Sequence, residues 1–349
     1  MPAPPDITRE IAQLIEEQGP ISIERFMNEA NRHYYATRDA IGAAGDFITA
    51  PEVSQMFGEI VGLALADVWQ RAGRPANAVL VELGPGRGTL ADDMLRAMKV
   101  VGLEPELHFI ETSPLLREKQ ADLHPHAIWH DTIQTLPTDR PLLIVANEFF
   151  DALPVHQLVM TFNGWRERVV RMGMDGFEAA PGDTTKYGDV PMHLRHADPG
   201  GIIESCPVAR KLMRAIARRL HDQGGAMLVI DYGYDGGAHG DTLQAVHAHA
   251  YADPFARPGV SDLTAHVDFS ALAGSARAAG THVEGPVDQG QWLVSLGLSD
   301  RAAILARNAP SRAAEIGAAY RRLTHPDEMG ELFKVMAVTG RRWPNPGGF

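Results

Sequence analysis

The sequence predicts an α/β fold: a Rossmann-like, doubly wound sheet with an N-terminal helical lid and an inserted lobe. Three observations predict it. From Ala78 onward short apolar runs alternate with helical stretches, the rhythm of parallel strands joined by crossover helices. One of these runs feeds a glycine turn, Gly84-Pro85-Gly86-Arg87-Gly88, with a helical pattern directly after it. Several runs also end in acidic or amide side chains, at the strand ends where open α/β sheets hold their ligands.

The elements follow in order. Ile7, Ile11, Leu14 and Ile15 share one face of a first helix, which Asp6 can cap and Gly19 with Pro20 stops. A second short helix is expected after Ser22. The loop GDFITAPE (45 to 52) leads into one long, half-buried helix, in which Val53, Met56, Phe57, Ile60, Val61, Ala64, Leu65, Val68 and Trp69 recur at helical spacing. An apolar face of that length does not stay exposed, so residues 1–75 read as a helical lid region rather than a separate module. Strands are expected at 78–83, 107–111, 127–130, 142–147 and 226–231. The run at 332–338 follows a helical region with no room for another crossover, so it is expected as an antiparallel edge. Together these form an α/β domain over 76–340. Insertions interrupt it at about 156–200, a hairpin around Asn163-Gly164 with a polar loop after it, and at about 233–270, a Gly/His/Asp-rich loop region.

Composition narrows the function classes. The 349 residues are 45% hydrophobic and 22% charged, ordinary for a folded chain, with a net charge of −12 that opposes a nucleic-acid backbone or an anionic membrane. The same field favours a cationic partner, such as a basic peptide or a sulfonium. Cys206 is the one cysteine, which excludes internal disulfides and multi-cysteine metal sites. No metal is expected either, because His156, His193, His196, His239, His247 and His249 lack metal-ligand spacing. No apolar run reaches membrane-spanning length and MPAPPDITRE is not a leader, so the cytoplasm is the expected compartment. A nucleophile elbow and a P-loop are both missing.

The chemistry concentrates on strand ends. In VELGPGRGTL the spacing is G-x-G-x-G and lacks the third glycine of the dinucleotide fingerprint. Glu82 stands two residues before Gly84, where it can hold the amino group of S-adenosylmethionine (SAM) or its ordered water. SAM is therefore favoured over NAD. Glu111 ends the second strand and suits ribose hydroxyls, although it lies 29 residues past Glu82 rather than the usual 20 or so. Asp131 ends the third strand and suits the adenine amino group, or alternatively caps a helix. The fourth strand ends in NEFFDALP, which supplies Asn147, Glu148 and Asp151 with Phe149 and Phe150 between them. A guanidinium needs paired acceptors with apolar walls, which makes Glu148 and Asp151 the candidate catalytic carboxylates. The alternative is that Asp151 caps a helix and the phenylalanines are core.

GDFITAPEVSQMFGE, VELGPGRGTL, NEFFDALPV, VIDYG, DLTAHVDF and MGELFKVMA, in that order from Gly45 to Ala337, resemble the MidA family of complex I assembly methyltransferases. The resemblance implies a class I SAM-dependent methyltransferase sheet and symmetric dimethylation of an arginine in a NuoD-type subunit of respiratory complex I. It implies that Gly84, Gly86, Glu111 and Asn147 hold SAM, and that the loop with Gly45, Asp46 and Thr49 closes over it. Pro85 and Gly88 complete the expected cofactor turn. The form it points to is bacterial and cytoplasmic, the mitochondrial matrix being expected only if a targeting segment precedes this chain. The partner is then a protein with a target arginine; the oligomeric state stays open. Two other readings share the same cofactor residues: a non-catalytic SAM-binding assembly or chaperone-like protein, and a methyltransferase of small molecules.

Overall fold

The computed structural model describes residues 7–37, 49–186, 188, 190–247 and 250–349, which divide into two compact units. The larger unit holds residues 48–150, 211–233 and 272–349. Its sheet runs in the order His282–Asp288, Phe333–Thr339, Gly225–Tyr234, Leu142–Asn147, Val79–Leu83, Glu106–Ile110, Ile128–His130. The last five are mutually parallel, and they are the five expected from the apolar runs. The chain's first parallel strand, Val79–Leu83, sits beside its fourth, Leu142–Asn147, so strand order reverses between them. At such a switch point the loops leave in opposite directions and open a crevice at the carboxyl ends. Glu82 and Asn147 stand on the two strands that flank it.

Two sequence expectations change here. Phe333–Thr339 is antiparallel to Gly225–Tyr234 as expected, but it is not the edge, because His282–Asp288 pairs along its other side. That outer strand is half-buried, is interrupted by Gly285-Pro286 and carries a bulge between Glu284 and Val287, so it shows neither an apolar run nor clean alternation. The expected long helix starts two residues late. Ser54, with φ −167°, breaks a short turn Ala50–Val53 from the helix Gln55–Arg71, and its Oγ accepts the Met56 N–H at 3.2 Å.

Gln55–Arg71 is buried around most of its circumference rather than half-buried. It packs into the core with Leu80, Leu143, Leu228 and Val335 of the sheet and with the helix Thr89–Val100. Gly62 allows that approach, since a Cβ there would lie 2.7 Å from Met94 Cα. Polar groups tie the same helices together. Glu59 of the first accepts from Arg96 Nη2 of the second at 3.4 Å and also from Arg301 Nε at 2.6 Å, while Asp93 pairs with Arg96.

The smaller unit is drawn from residues 1–47, 151–210 and 234–271. The helix Ile7–Gln18 buries Ile7, Ile11 and Ile15 as its spacing predicts, and Gly19 ends it at φ 82°. The expected capping residue, Asp6, lies outside the described residues. The next helix, Ile23–Thr37, is 15 residues long rather than short, and it buries Phe26, Met27 and Ala30 against Val155, Val170 and Leu263. The Asn163-Gly164 hairpin joins His156–Thr161 to Gly164–Met172, and the stretch expected as a polar loop adds the strand Phe177–Thr185. The 233–270 segment is not all loop, since Gln244–His247 pairs with Ala250–Ala252 and with Asp262–Thr264. Among the described residues no helix is long and apolar enough to cross a membrane.

Burial raises the Asp93 carboxyl from an ordinary 3.8 to about 6, against the pull of Arg96. Between those values the folded state holds a proton that the unfolded state has released, so this group's contribution to stability falls as pH rises from about 4 to about 6. Asp93→Asn should therefore compare more favourably with the parent protein at pH 7.5 than at pH 5 in urea titrations. An identical difference at the two pH values would contradict it.

Candidate functional site

The glycine turn leaves the strand Val79–Leu83 at the switch point. Gly84, Gly86 and Gly88 take φ values of 61°, 54° and 83°, a left-handed region that side chains with a Cβ adopt at a cost. Gly84 is also tight in space, because a Cβ there would lie 2.9 Å from the Phe149 ring. Its N–H donates to Ile110 O at 3.0 Å, which ties the turn to the neighbouring strand end. Glu82, two residues back, is buried, and burial pushes its carboxyl well above the usual range while the Ala91 backbone opposes the shift. Its Oε2 and the Oδ1 of Asn147 on the adjoining strand are buried acceptors without a hydrogen-bond partner. Such atoms are uncommon in folded proteins and mark places where a further donor belongs.

A second group of residues braces the turn. Glu111, just past the strand Glu106–Ile110, has one oxygen on the Ser113 N–H at 2.7 Å and the other on Gln120 Nε2 at 3.3 Å. Burial raises its carboxyl, and those two donors oppose the rise. The same Gln120 Nε2 donates to Gly86 O at 2.7 Å, while Gln120 Oε1 accepts from Trp129 Nε1 at 2.8 Å. One fully buried amide thus fixes both the glycine turn and the carboxylate expected at the ribose. His124 Nε2 meets Gly88 O at 2.9 Å. Asp131 is far more exposed, with 79% of its side chain accessible, and it pairs with Arg117 Nη2 at 2.6 Å. It does not cap the short helix Ile133–Thr135, whose cap position belongs to Thr132.

The third component is the turn after Leu142–Asn147. Glu148 has φ 48°, donates its N–H to Ile230 O at 2.9 Å, and accepts at Oε1 from Ala50 N at 3.2 Å and Asn147 Nδ2 at 3.3 Å. The turn is held by Asp231, a fully buried carboxylate on the next strand. Asp231 Oδ2 accepts the Phe149 and Phe150 N–H groups at 3.2 and 3.0 Å, and its Oδ1 accepts Tyr232 N at 3.0 Å.

Glu82, Gly84, Pro85, Gly86, Gly88, Glu111, Asn147 and Glu148 therefore all belong to the larger unit, on or next to adjoining strand ends. Thr49 is there too, at the cap position of Ala50–Val53. Gly45 and Asp46 lie outside the described residues. Asp151 belongs to the smaller unit, is 5% exposed, and starts no helix, which removes its capping alternative. Phe150 is core, at 3% exposure, whereas Phe149 lies against the glycine turn. Sequence reasoning missed Gln120, His124 and Asp231. Asp231 carried a signal, since a carboxylate ending the apolar run AMLVID had no other explanation; Gln120 carried none.

Asp231→Asn removes the charge and replaces with an NH2 group one of the two oxygens that hold three backbone N–H groups. It should lower folding stability by about 2–3 kcal/mol, the range for losing a charged acceptor to buried donors. Urea titration checks this, and a loss below about 0.5 kcal/mol would show that the turn holds without it.

Comparison with known proteins places this geometry. Residues 60–287 match the family described as "Putative S-adenosyl-L-methionine-dependent methyltransferase". The protein arginine methyltransferase NDUFAF7, mitochondrial, of Danio rerio is 34% identical, with 95% of this chain and 86% of that protein covered. Its Homo sapiens counterpart is 33% identical, with 95% and 82% covered. Among solved structures, a COG1565 superfamily member from Burkholderia thailandensis bound to S-adenosyl-homocysteine superposes with a TM-score of 0.85 at 26% identity, covering 97% of this chain and 93% of that one. The sheet is thus that of a SAM-dependent methyltransferase, SAM is the cofactor, and the chain belongs to this S-adenosyl-L-methionine-dependent methyltransferase family.

Proposed function

We propose that this methyltransferase modifies an arginine of a protein, with a NuoD-type subunit of respiratory complex I as the acceptor that the MidA resemblance points to. The observation that carries the reading is the carboxylate-bearing turn Asn147 to Asp151 at the switch point, next to the glycine turn; the relatives named protein arginine methyltransferases support it. With Cys206 as its one cysteine, the chain suits the reducing bacterial cytoplasm as the compartment.

The residues fit SAM. Glu82 Oε2 and Asn147 Oδ1 are buried acceptors without a partner, suited to an ammonium or a hydroxyl, and in the adjoining turn a Cβ at Gly84 or Gly88 would crowd Phe149 or His124. In this reading Glu82, Gly84, Pro85, Gly86, Gly88, Glu111, Asp131 and Asn147 hold the cofactor with Thr49; Gly45 and Asp46, expected from the sequence to join them, lie outside the described residues. The cofactor supplies an electrophilic methyl group on a sulfonium. The protein's own task is alignment, exclusion of water and presentation of a nitrogen. An arginine is protonated at any physiological pH, so one nitrogen must be turned toward the methyl while the charge stays on the other two. Glu148 and Asp151 are the carboxylates we assign to holding that charge.

Labelled SAM supplied with cell extract should place label in a protein band that yields methylated arginine on hydrolysis; label only in small molecules, or in nothing, contradicts the reading. Glu148→Gln should lower turnover by roughly 100-fold with SAM affinity nearly intact, the effect of losing a charge-positioning group. Gln120→Leu should do the reverse, weakening SAM binding in calorimetry by about tenfold, as expected for a lost buried hydrogen-bond brace. If both variants change affinity alike, the division between cofactor and acceptor residues is wrong.

A further inference from the structure

In the smaller unit, Asn31 stitches two segments that lie far apart in the chain. Its Nδ2 donates to Ala152 O at 3.1 Å and to Leu263 O at 2.7 Å, and its Oδ1 accepts Leu263 N at 3.0 Å. Ala265 N donates to Asp151 O at 3.0 Å beside it. Asp151 and the strand Asp262–Thr264 are thereby laid side by side. Along that strand Leu263 points into the apolar core, so Asp262 and Thr264 share the opposite face. One turn beyond Asn31, the Tyr35 hydroxyl donates to Asp262 Oδ2 at 2.7 Å. Burial pushes the Tyr35 phenol well above its ordinary range, and the Asp262 and Asp151 carboxylates push it further, which puts both acids within electrostatic reach of one hydroxyl.

Independently, Thr264 Oγ1 is a buried atom without a hydrogen-bond partner on a residue 2% exposed, and it stands on the same strand face as Asp262. Two carboxylates and a hydroxyl acceptor, with Tyr34 and Tyr35 edge to face at 5.3 Å alongside, offer what a planar, multiply donating cation requires. A lysine ammonium is a compact point charge and uses such an array less well.

We propose that Asp151, Asp262 and Thr264, with the Tyr35 hydroxyl fixing the Asp262 carboxylate, form a guanidinium-binding pocket that selects the acceptor side chain. This deepens the arginine reading and rests on it. Asp151, Asp262 and Thr264 touch the acceptor, whereas Tyr35 and Asn31 are positioning residues.

The test uses the full chain with S-adenosylhomocysteine present and Nα-acetyl-arginine amide as the probe, measured by calorimetry against Nα-acetyl-lysine amide. The unmodified protein should prefer the arginine amide. Asp262→Asn should weaken it by about 30-fold or more, the loss of one partner of a buried charge pair, with S-adenosylhomocysteine affinity changed less than about threefold. Thr264→Val keeps the shape and removes the hydroxyl; it should weaken the arginine amide by about three- to tenfold and serves if Asp262→Asn does not fold. An arginine-selective protein whose two variants bind the probe normally, or lose S-adenosylhomocysteine to the same degree, overturns the pocket and leaves the arginine reading standing. A protein that takes both amides equally overturns the arginine reading and the pocket with it.

Discussion

The larger unit depends on one buried carboxylate. Asp231 sits in the middle of the sheet, fully enclosed, and collects the Phe149, Phe150 and Tyr232 N–H groups. Without an acceptor at that point, the chain leaving Leu142–Asn147 would bury two unsatisfied donors. The favoured escape would be a turn that faces water. With Asp231 in place the chain bends sharply, Glu148 takes a left-handed conformation that a non-glycine residue rarely adopts, and Phe149 comes to lie on Gly84. The glycine at 84 and the aspartate at 231 are therefore two halves of one constraint: the first leaves room for the ring, the second brings the ring there.

The polar groups around the turn differ in how completely they are satisfied, and that difference separates framework from site. Glu111 has each oxygen on a fixed donor, and the Gln120 amide is engaged at both ends, so neither can change rotamer without breaking a buried bond. Glu82 and Asn147 keep an acceptor atom unspent. A buried acceptor left open lowers stability, and at the mouth of a ligand crevice a donor from outside the chain would complete it. The framework around the glycine turn is thus preorganised, and the open acceptors of Glu82 and Asn147 lie on the two strands that flank the switch point, which suits the holding of a polar cofactor.

Much of this was legible in the sequence because sheets at a switch point obey period and position. The apolar runs located five parallel strands, and the strand, glycine turn, helix order located Gly84 to Gly88. What stayed hidden follows a different logic. Gln120 lies on a helix face where nothing in its neighbours marks it, and its importance comes only from three partners, Gly86, Glu111 and Trp129, spread over 44 residues. His282–Asp288 was hidden because a strand broken by Gly285-Pro286 has no pattern to read. The break at Ser54 was hidden for the converse reason: the apolar periodicity runs through it unchanged, and only the serine's own side chain, capping Met56, restarts the helix.

Asn31 shows why acceptor chemistry is harder to read than cofactor chemistry. The cofactor turn is contiguous, since ten residues from Val81 to Leu90 carry its strand end, glycines and helix start. The Asn31 clamp instead spans separations of 121 and 232 residues, and each of its three bonds goes to a backbone atom. Backbone atoms leave no trace in composition, so neither partner segment reveals that it is a partner. Yet a single amide with both donor and acceptor engaged sets the register of Asp262 against Asp151, and a slip of one residue would turn Asp262 into the apolar core and Leu263 out of it. The apolar side chain at 263 therefore enforces the polar pair at 262 and 264: the hydrophobic core of the smaller unit fixes which face of that strand carries its acids.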